Sequence, residues 1–303
     1  MKHSIRAILF SLLFSSIATA QITLSYQTKA GDVYSTTLSM TQNIKQTMMG
    51  LDQVAENEQI ISVDFTTEGV SDGLINSDLL YKRVIINQSS PIGSSNFDSQ
   101  NATEDIPQAL RGYASLVDKG YKISFNNKGE VQAVSGVKTM ITSMIEELEL
   151  PTETAKNQLK ANLAAQFNDE TMLSQIQNGL IIYPKGTINK GEPWVLDQSV
   201  SNPYPLNIST TYTLDDYDKD FAYISVSSTI STGENSNMNF QGTEVLFELK
   251  GTQTGSIKVD RKTGFILESN LEQNTKGLMK VISPQEMEIP MTLKSVISIT
   301  GSI

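Results

Sequence analysis

Three short motifs in this sequence contain residue types that could catalyse hydrolysis. Gly69-Val70-Ser71-Asp72-Gly73 matches G-x-S-x-G, the turn that presents the serine of many α/β-hydrolases. Ser135-Gly136-Val137-Lys138 matches S-x-x-K, and Lys262-Thr263-Gly264 matches K-T-G, a combination found in serine β-lactamases and penicillin-binding proteins. The first motif requires a histidine base and a following helix, and the other two require an S-D-N element between them.

The composition removes the partners that these serines would need. The only histidine is His3, and the chain contains no cysteine. Beyond residue 20, imidazole acid–base chemistry, cysteine nucleophiles and zinc sites with nitrogen or sulfur ligands are therefore excluded. No S-D-N tripeptide lies between S-x-x-K and K-T-G. We therefore interpret G-x-S-x-G as a hairpin turn, Ser135 as a helix N-cap and Gly264 as a turn glycine, and we predict no catalytic residue.

Two acidic clusters suggest other chemistry. Asp216, Asp218 and Asp220 form the D-x-D-x-D start of a calcium loop, but Phe221 and Ser227 replace the glycine and glutamate that the EF-hand pattern requires. We therefore predict a solvated acidic turn, and neither a metal site nor a cofactor.

The second cluster, Glu146, Glu147 and Glu149, could supply the carboxylates of a glycosidase. These residues lie opposite the apolar stripe of their predicted helix, which favours a solvated helix face. A carboxylate-based hydrolase is accordingly the third of the functions that we consider.

Residues 1–20 have the three parts of a secretory signal. A basic segment precedes the apolar run Ala7–Ile17, and Ala18 and Ala20 supply the small residues at the cleavage site, so we expect cleavage before Gln21. The run is too short to span a bilayer, and the chain lacks the cysteine of a lipoprotein signal. We expect an exported protein, periplasmic or extracellular, that is soluble and neither membrane-spanning nor lipid-anchored.

The charge balance disfavours anionic partners. Without Lys2 and Arg6, 21 basic residues remain against 33 acidic ones, a net charge of −12. Binding to nucleic acid, or to an anionic membrane surface, is disfavoured by this balance.

The periodicity predicts β-structure at both ends of the chain and helices between them. Alternating residues from Gln21 to about residue 88 indicate strands, with a long hairpin tip at Met49-Gly50 and a turn at Asp72-Gly73. Residues 87–104 are polar and predict a long loop, and Asp105 and Pro107 predict a helix start.

A tight hairpin is predicted at Tyr121–Val134, and three helices follow within residues 136–179. The first helix, ending at Pro151, carries an apolar stripe made of Val137, Met140, Ile141, Met144, Ile145 and Leu148. Asn168 begins the third helix, and Gly179 ends it.

Strand patterns resume at Leu180–Tyr183. The later strand candidates, separated by Gly, Asn and Asp turns, are Ser209–Thr213, Tyr223–Thr229, Val245–Leu249, Ser256–Val259, Phe265–Leu271 and Met291–Ile303. The 256–269 hairpin resembles the one at 121–134 in spacing and turn chemistry, which suggests two related β halves.

These patterns predict an α+β fold with extensive antiparallel sheet in two portions. We divide the chain into a signal peptide (1–20), an N-terminal β-rich half (21–135), a helical segment (136–179) and a C-terminal β-rich half (180–303). Whether the halves form one domain or two is open.

Several segments together resemble an uncharacterised family of exported bacterial envelope proteins, a domain of unknown function. They are the G-E-P-W turn at 191–194 after Tyr183-Pro184, the Met-Met-Gly tip, the YKRVIINQ strand and the ISFNNKGEVQAVSG hairpin. The resemblance implies an exported α+β protein and assigns no catalytic residue. In architecture the chain is also remotely similar to periplasmic lipoprotein-carrier half-barrels, where a curved sheet is closed by helices over an apolar cavity.

The leading functional hypothesis is non-catalytic binding of a lipid-like, apolar or amphipathic small molecule between sheet and helices. Methionines suit an adaptable apolar surface, so Met140, Met144 and Ile145 are the candidate contacts, with Trp194 as a candidate platform. The alternative for these side chains is ordinary core packing. The alternative function is an interaction module for an envelope protein, using sheet edges and polar loops without a small ligand.

Overall fold

The computed structural model describes residues 21–101, 110–148, 152–200, 205–233, 236–240, 243–283 and 286–303. The predicted signal peptide, the helix start at Asp105 and Pro107, the helix end at Pro151 and Glu149 lie outside these residues. Strands make up 62% and helices 15% of the described residues. The extensive antiparallel sheet is thus confirmed, and the protein is mostly β.

Thirteen strands form one open antiparallel sheet in the described part of the chain. The N-terminal strands are β1 (Val33–Met48), β2 (Leu51–Ser71), β3 (Leu74–Ser90), β4 (Gly93–Asp98), β5 (Gly120–Asn126) and β6 (Val131–Ser135). The C-terminal strands are β7 (Pro193–Val200), β8 (Leu206–Tyr217), β9 (Phe221–Thr232), β10 (Asn237–Phe240), β11 (Thr243–Asp260), β12 (Ile266–Ser283) and β13 (Met287–Ser302). The helices are α1 (Arg111–Ala114), α2 (Val137–Glu147), α3 (Glu153–Gln166) and α4 (Asp169–Gly179).

The strand order is β6-β5-β3-β2-β1-β13-β12-β11-β9-β8-β7, with β4 paired to β3 and β10 to β11. The first and last long strands meet in the middle, where β1 and β13 pair over twelve residues from Ser35↔Ser302 to Gln46↔Met291. The N-terminal and C-terminal strands therefore belong to the same sheet. We call the end with the β2–β3, β5–β6, β8–β9 and β11–β12 turns proximal, and the end with the β1–β2, β3–β4 and β12–β13 turns distal.

One face of the sheet, here called the inner face, carries the core. Because alternate residues of a strand point to opposite faces, Tyr121, Ile123 and Phe125 of β5 are buried there while their neighbours are more exposed. At the proximal end, α2 packs against β5, and its buried side chains join those of the strands in one main core.

Two predictions about the extent of strands were wrong. Residues 87–98 were predicted as loop, but β3 continues to Ser90 and β4 returns along it, with Phe97 buried on the inner face. Polar composition misled the prediction because an edge strand exposes most of its side chains.

The second error was to predict two separate strands where glycines lie inside a single one. Val245–Leu249 and Ser256–Val259 are parts of the single strand β11, and Gly251 and Gly255 between them are not turns. A Cβ on Gly255 would lie 2.0 Å from the carbonyl oxygen of Asn270, so this glycine allows a close approach of two strands.

Two local predictions were also wrong. Leu180–Tyr183 is not a strand, because its amides bond elsewhere: Ile181 N donates to Tyr26 Oη (3.1 Å) and Tyr183 N to the carbonyl of Lys128 (2.8 Å). The N-cap of α2 is Gly136 at φ 94° rather than Ser135, which ends β6. Asn168 does cap α4, accepting a hydrogen bond from Thr171 N.

Candidate functional site

The three predicted contacts on α2 lie in the main core. Met140, Met144 and Ile145 are 5%, 4% and 5% exposed. Their helix turns this face towards β5 and α3, and the apolar side chains of these elements surround them. The structure therefore brings the three residues together in a packed region.

Trp194 lies apart from them, near the start of the edge strand β7. Its ring stacks on Tyr212 of β8 with centroids 5.3 Å apart, and its Nε1 donates to the carbonyl oxygen of Ile182 (3.0 Å). The half-buried indole thus joins the edge of the sheet to the segment that follows α4.

The sequence patterns missed the role of the segment that precedes β1. Two hairpin turns of similar sequence hold residues 24–27 from either side: Tyr26 N donates to Asn127 of the β5–β6 turn, and Gln27 N to Thr263 of the β11–β12 turn. Lys128 Nζ adds a bond to the carbonyl of Leu24 (3.0 Å). The recurring hairpin pattern was the one sequence signal that pointed to this clamp.

Tyrosines fill the space beneath the clamp. Tyr26 contacts Phe125, Tyr183 and Phe265, and Tyr34 stacks on Phe265 with centroids 4.3 Å apart. Tyr34 Oη donates to the carbonyl of Ile266 (2.7 Å), and Tyr183 Oη to that of Gly264 (2.8 Å). These hydroxyls are thereby satisfied within the protein.

Burial changes the acidity of these phenols. It raises the pKa of Tyr34 to about 12 and raises the pKa of Tyr26 and Tyr183 further, because the phenolate would lose its hydration. Burial also raises the pKa of Tyr212 to about 12. The cluster consequently favours the neutral phenols.

A row of uncharged polar side chains crosses the inner face on seven neighbouring strands. Direct pairing in an antiparallel sheet places the members on one face, and each is paired with the next in this order: Asn57, Gln42, Ser295, Gln273, Gln253, Ser228 and Thr210. We call these residues the polar row. It separates the main core from the distal part of the inner face.

The polar row is only partly bonded to itself. Thr210 Oγ1 and Ser228 Oγ are 2.9 Å apart, and Ser228 Oγ donates to Gln253 Oε1 at 3.4 Å. Ser295 is 3% exposed, and its Oγ lacks a hydrogen-bond partner among the described residues. A buried hydroxyl of this kind gains free energy from any polar group that reaches it.

A second apolar group, here called the distal cluster, lies beyond the polar row. Its buried members are Val245, Phe247, Leu249 and Met291, and half-buried Ile44, Leu206, Met238 and Met279 pack against them. Methionines are flexible and polarisable, so a surface rich in them can change shape around a ligand.

An open cleft of about 1040 Å³ adjoins the distal cluster. Residues of β11, β12 and β13 and of the β9–β10 connection form most of its lining: Thr232, Gly233, Ser236, Leu246, Phe247, Glu248, Leu249, Lys250, Lys276, Gly277, Leu278, Pro290, Met291 and Thr292. None of the four predicted contact residues belongs to this lining. A second cleft, of about 500 Å³, lies on β12 and β13 nearer the proximal end.

The motifs considered for catalysis take part in turns and strand ends. Asp72-Gly73 forms the β2–β3 turn, and Ser71 Oγ accepts from Asn76 Nδ2 (3.1 Å). Ser135 pairs with Lys122 in the β5–β6 ladder, whereas Lys262-Thr263-Gly264 lies in the β11–β12 turn.

The acidic residues of the D-x-D-x-D segment are engaged in the β8–β9 turn. Asp216 forms an ion pair with Lys190 at 2.9 Å, which lowers the pKa of this aspartate. Asp218 Oδ1 accepts from the amides of Phe221 and Asp220, and these bonds lower the pKa of Asp218. On α2, Glu147 pairs with Lys119.

A family model described as "Family of unknown function (DUF6263)" matches residues 72–266. The chain belongs to this family. Membership confirms the resemblance to an uncharacterised domain that the turn motifs indicated. No curated protein matches the chain.

Solved structures add a likeness of fold. A structure titled for lipid–protein interactions in lipovitellin superposes with a TM-score of 0.50 at 10% identity, covering 91% of this chain. This chain spans 26% of that lipovitellin chain. An outer membrane channel from Pseudomonas putida F1 matches over 91% of this chain and 97% of its own, with 7% identity and a TM-score of 0.24. No helix in the described part of the chain is long and apolar enough to cross a membrane.

Proposed function

We propose that this protein is a non-catalytic binding protein that holds an apolar or amphipathic small molecule against the distal part of its inner face. The observation that carries the proposal is the open cleft of about 1040 Å³ beside the methionine-rich distal cluster. A cleft of this size suits a drug-sized or lipid-sized molecule. Half-buried Met279 and Met238, which pack against the distal cluster, can repack as the ligand enters.

The polar row indicates the chemistry of the ligand's polar end. Its members carry only amides and hydroxyls, so an ionised head group placed on it would be buried without a countercharge. An uncharged group that donates and accepts hydrogen bonds avoids this cost and can reach the half-buried amides of Gln253 and Gln273. We therefore propose an amphiphile with an uncharged head, such as a long-chain alcohol, amide or monoacylglycerol.

The distal position is favoured over the stripe of α2. Met140 and Met144 are at most 5% exposed, so a ligand could contact them only by opening the main core. The likeness in fold to lipovitellin, whose structure is titled for its lipid–protein interactions, is compatible with a lipid-like ligand.

We further propose that the protein is exported after cleavage before Gln21. The position of Ile22 is compatible with this boundary: it is 4% exposed and bridges to Ile188, so the second residue of the expected mature chain belongs to the core. The mass of the intact protein recovered from the periplasm or the medium tests the boundary.

The binding proposal is tested with the uncharged apolar fluorophore N-phenyl-1-naphthylamine and by mass spectrometry of organic extracts of the purified protein. Met279→Asn replaces a half-buried side chain of the distal cluster by a polar one. We expect it to weaken probe binding by about fivefold to tenfold, which corresponds to the loss of one methionine's apolar contact.

Met40→Asn is the matched control, because Met40 is also a half-buried strand methionine of the inner face but lies on β1, on the proximal side of the polar row. It should leave the probe affinity unchanged. Equal affinities in the two variants, or extracts free of any amphiphile together with no probe binding, would contradict the proposal. An envelope-protein interaction module would then be the better account.

A further inference from the structure

The turns at the distal end of the sheet differ in character from those at the proximal end. Among the described turns, Met49 and Leu51 at the β1–β2 tip are 92% and 71% exposed, and Ile92 at the β3–β4 tip is 98% exposed. The β2–β3 and β8–β9 turns of the proximal end consist instead of Asp72-Gly73 and Asp218-Lys219-Asp220.

The turns at the two ends of β2 provide an internal comparison. The β2–β3 turn has Asp72 at φ 52° and Gly73 at φ 78°, and the β1–β2 turn has Met49 at φ 52° and Gly50 at φ 78°. Aspartate and asparagine tolerate this left-handed conformation, whereas a long apolar side chain is disfavoured in it. Packing does not compensate Met49, because its side chain is almost fully exposed.

The hairpins that carry the exposed tips adjoin each other and the proposed binding face. β3 pairs with β2 as far as Glu56↔Ser89, so the two hairpins lie side by side, with neighbouring strands about 5 Å apart and the β1–β2 tip extending beyond the β3–β4 tip. Ile44 of β1, a member of the distal cluster, lies four residues from Met48 on the strand leading to the tip. The β1–β2 tip carries Met49 and Leu51, and the β3–β4 tip carries Ile92.

The charges near the tip argue against an electrostatic partner. Lys45 Nζ and Asp52 Oδ2 are 2.6 Å apart, so the one basic side chain beside the Met49 turn is paired. The chain as a whole is acidic, with a net charge of −10 including the predicted signal. Among lipid surfaces, an electroneutral one is therefore favoured over an anionic one.

From these observations we infer that the distal tips dock on a lipid surface, namely the interface of a zwitterionic bilayer. Exposed apolar side chains on two separate turns can each enter the interfacial region of a bilayer, whereas a protein partner requires a continuous complementary surface. The inference rests on the proposed function in one respect: docking would bring the distal cleft to the membrane that supplies or receives the amphiphile.

The test uses the mature chain, residues 21–303, and vesicles of pure phosphatidylcholine in a flotation assay. Met49→Asn and Ile92→Ser should each lower the vesicle partition coefficient at least about fivefold, because each removes one apolar side chain from the interface. Val70→Asn is the control, since Val70 is 55% exposed near the proximal end and should have no effect. Met49→Asn should unfold at the same denaturant concentration as the parent chain or at a higher one.

Four results would overturn the inference. The first is absence of parent-chain flotation, and the second is equal flotation of the parent chain and both tip variants. The third is a concentration-dependent dimer that forms without vesicles and that Met49→Asn abolishes. Binding that appears only with anionic vesicles and disappears with added salt would also contradict it. Probe binding measured on the same variants in solution separates the two proposals, because tip variants that bind the fluorophore normally but do not float support docking and leave the ligand site intact.

Discussion

At the scale of single residues, the clamp around the N-terminal segment depends on two turn glycines. Gly264 has φ 78°, and a Cβ there would lie 2.3 Å from the carbonyl oxygen of Ser25. Gly129, in the equivalent position of the β5–β6 turn, has φ 92°, and its Cβ would lie 2.2 Å from the carbonyl of Ile181. Both glycines therefore serve a backbone conformation and a close approach at once.

Gly264→Ala should lower the free energy of unfolding by about 2–3 kcal/mol, because it combines left-handed strain with a clash against backbone. Urea unfolding of the two proteins measures the difference. Gly186→Ala is the control: nothing lies within 4 Å of the added Cβ, and we expect a change within about 0.5 kcal/mol. An equal decrease in the free energy of unfolding for the two variants would show that Ser25 does not lie as close to Gly264 as described.

At the scale of elements, the short strand β4 is held to β3 by an ion pair as well as by its ladder. Arg83 Nε and Nη2 donate to the two oxygens of Asp98 at 3.2 and 2.8 Å. The Arg83 guanidinium, with a bond from Gln100 N, lowers the pKa of Asp98 to about 2. Because the ionised form of Asp98 is favoured in the folded state, the pair stabilises the folded protein at pH values above the ordinary carboxyl pKa.

This stabilisation should disappear as the pH falls from about 4 to about 2, the interval between the unfolded and folded pKa values of Asp98. Asp98→Asn should make the free energy of unfolding less dependent on pH in that interval and slightly lower at pH 6. Urea unfolding across this range tests it, with Asp197→Asn on the edge strand β7 as control. A parent chain and an Asp98→Asn variant with parallel pH profiles would refute the assignment.

At the scale of the whole molecule, the main core joins both β portions and the helices through neutral tyrosines. Tyr26, Tyr34, Tyr183 and Tyr212 contribute to one core although they lie far apart in sequence. Their ionisation would place phenolates among apolar side chains, which is costly. The stability of the entire sheet should therefore fall at alkaline pH, where these phenols ionise.

Since their folded pKa values exceed the unfolded value near 10, these tyrosines stabilise the protein fully below pH 10, and the contribution falls as the pH rises through 12. Tyr212→Phe should make the free energy of unfolding decline less steeply between pH 10 and 12. Urea unfolding measures the free energy of unfolding at each pH, and the ultraviolet absorbance of tyrosinate measures the ionisation of the phenols. A difference in tyrosinate absorbance between the parent chain and Tyr212→Phe that appears near pH 10, before any unfolding, would contradict the burial of this phenol.

The sequence by itself determined those features that depend on neighbours along the chain. Alternation placed most strands, the apolar stripe correctly predicted the helix α2, and Asp72-Gly73 and Met49-Gly50 were correctly predicted as turns. Turn chemistry also sufficed to indicate the family, because its motifs are short and local. Local sterics and side-chain periodicity account for all of these.

Only the tertiary structure decided which strands pair and what lies on each face. The pairing of β1 with β13, the continuity of β11 through Gly251 and Gly255, and the two-sided clamp on Tyr26 depend on contacts between distant residues. The polar row illustrates the reason: Gln42, Gln253 and Ser295 are ordinary strand residues in sequence, and they form one row only because the register aligns them. Register is set by the packing of the whole face, so no single strand specifies it.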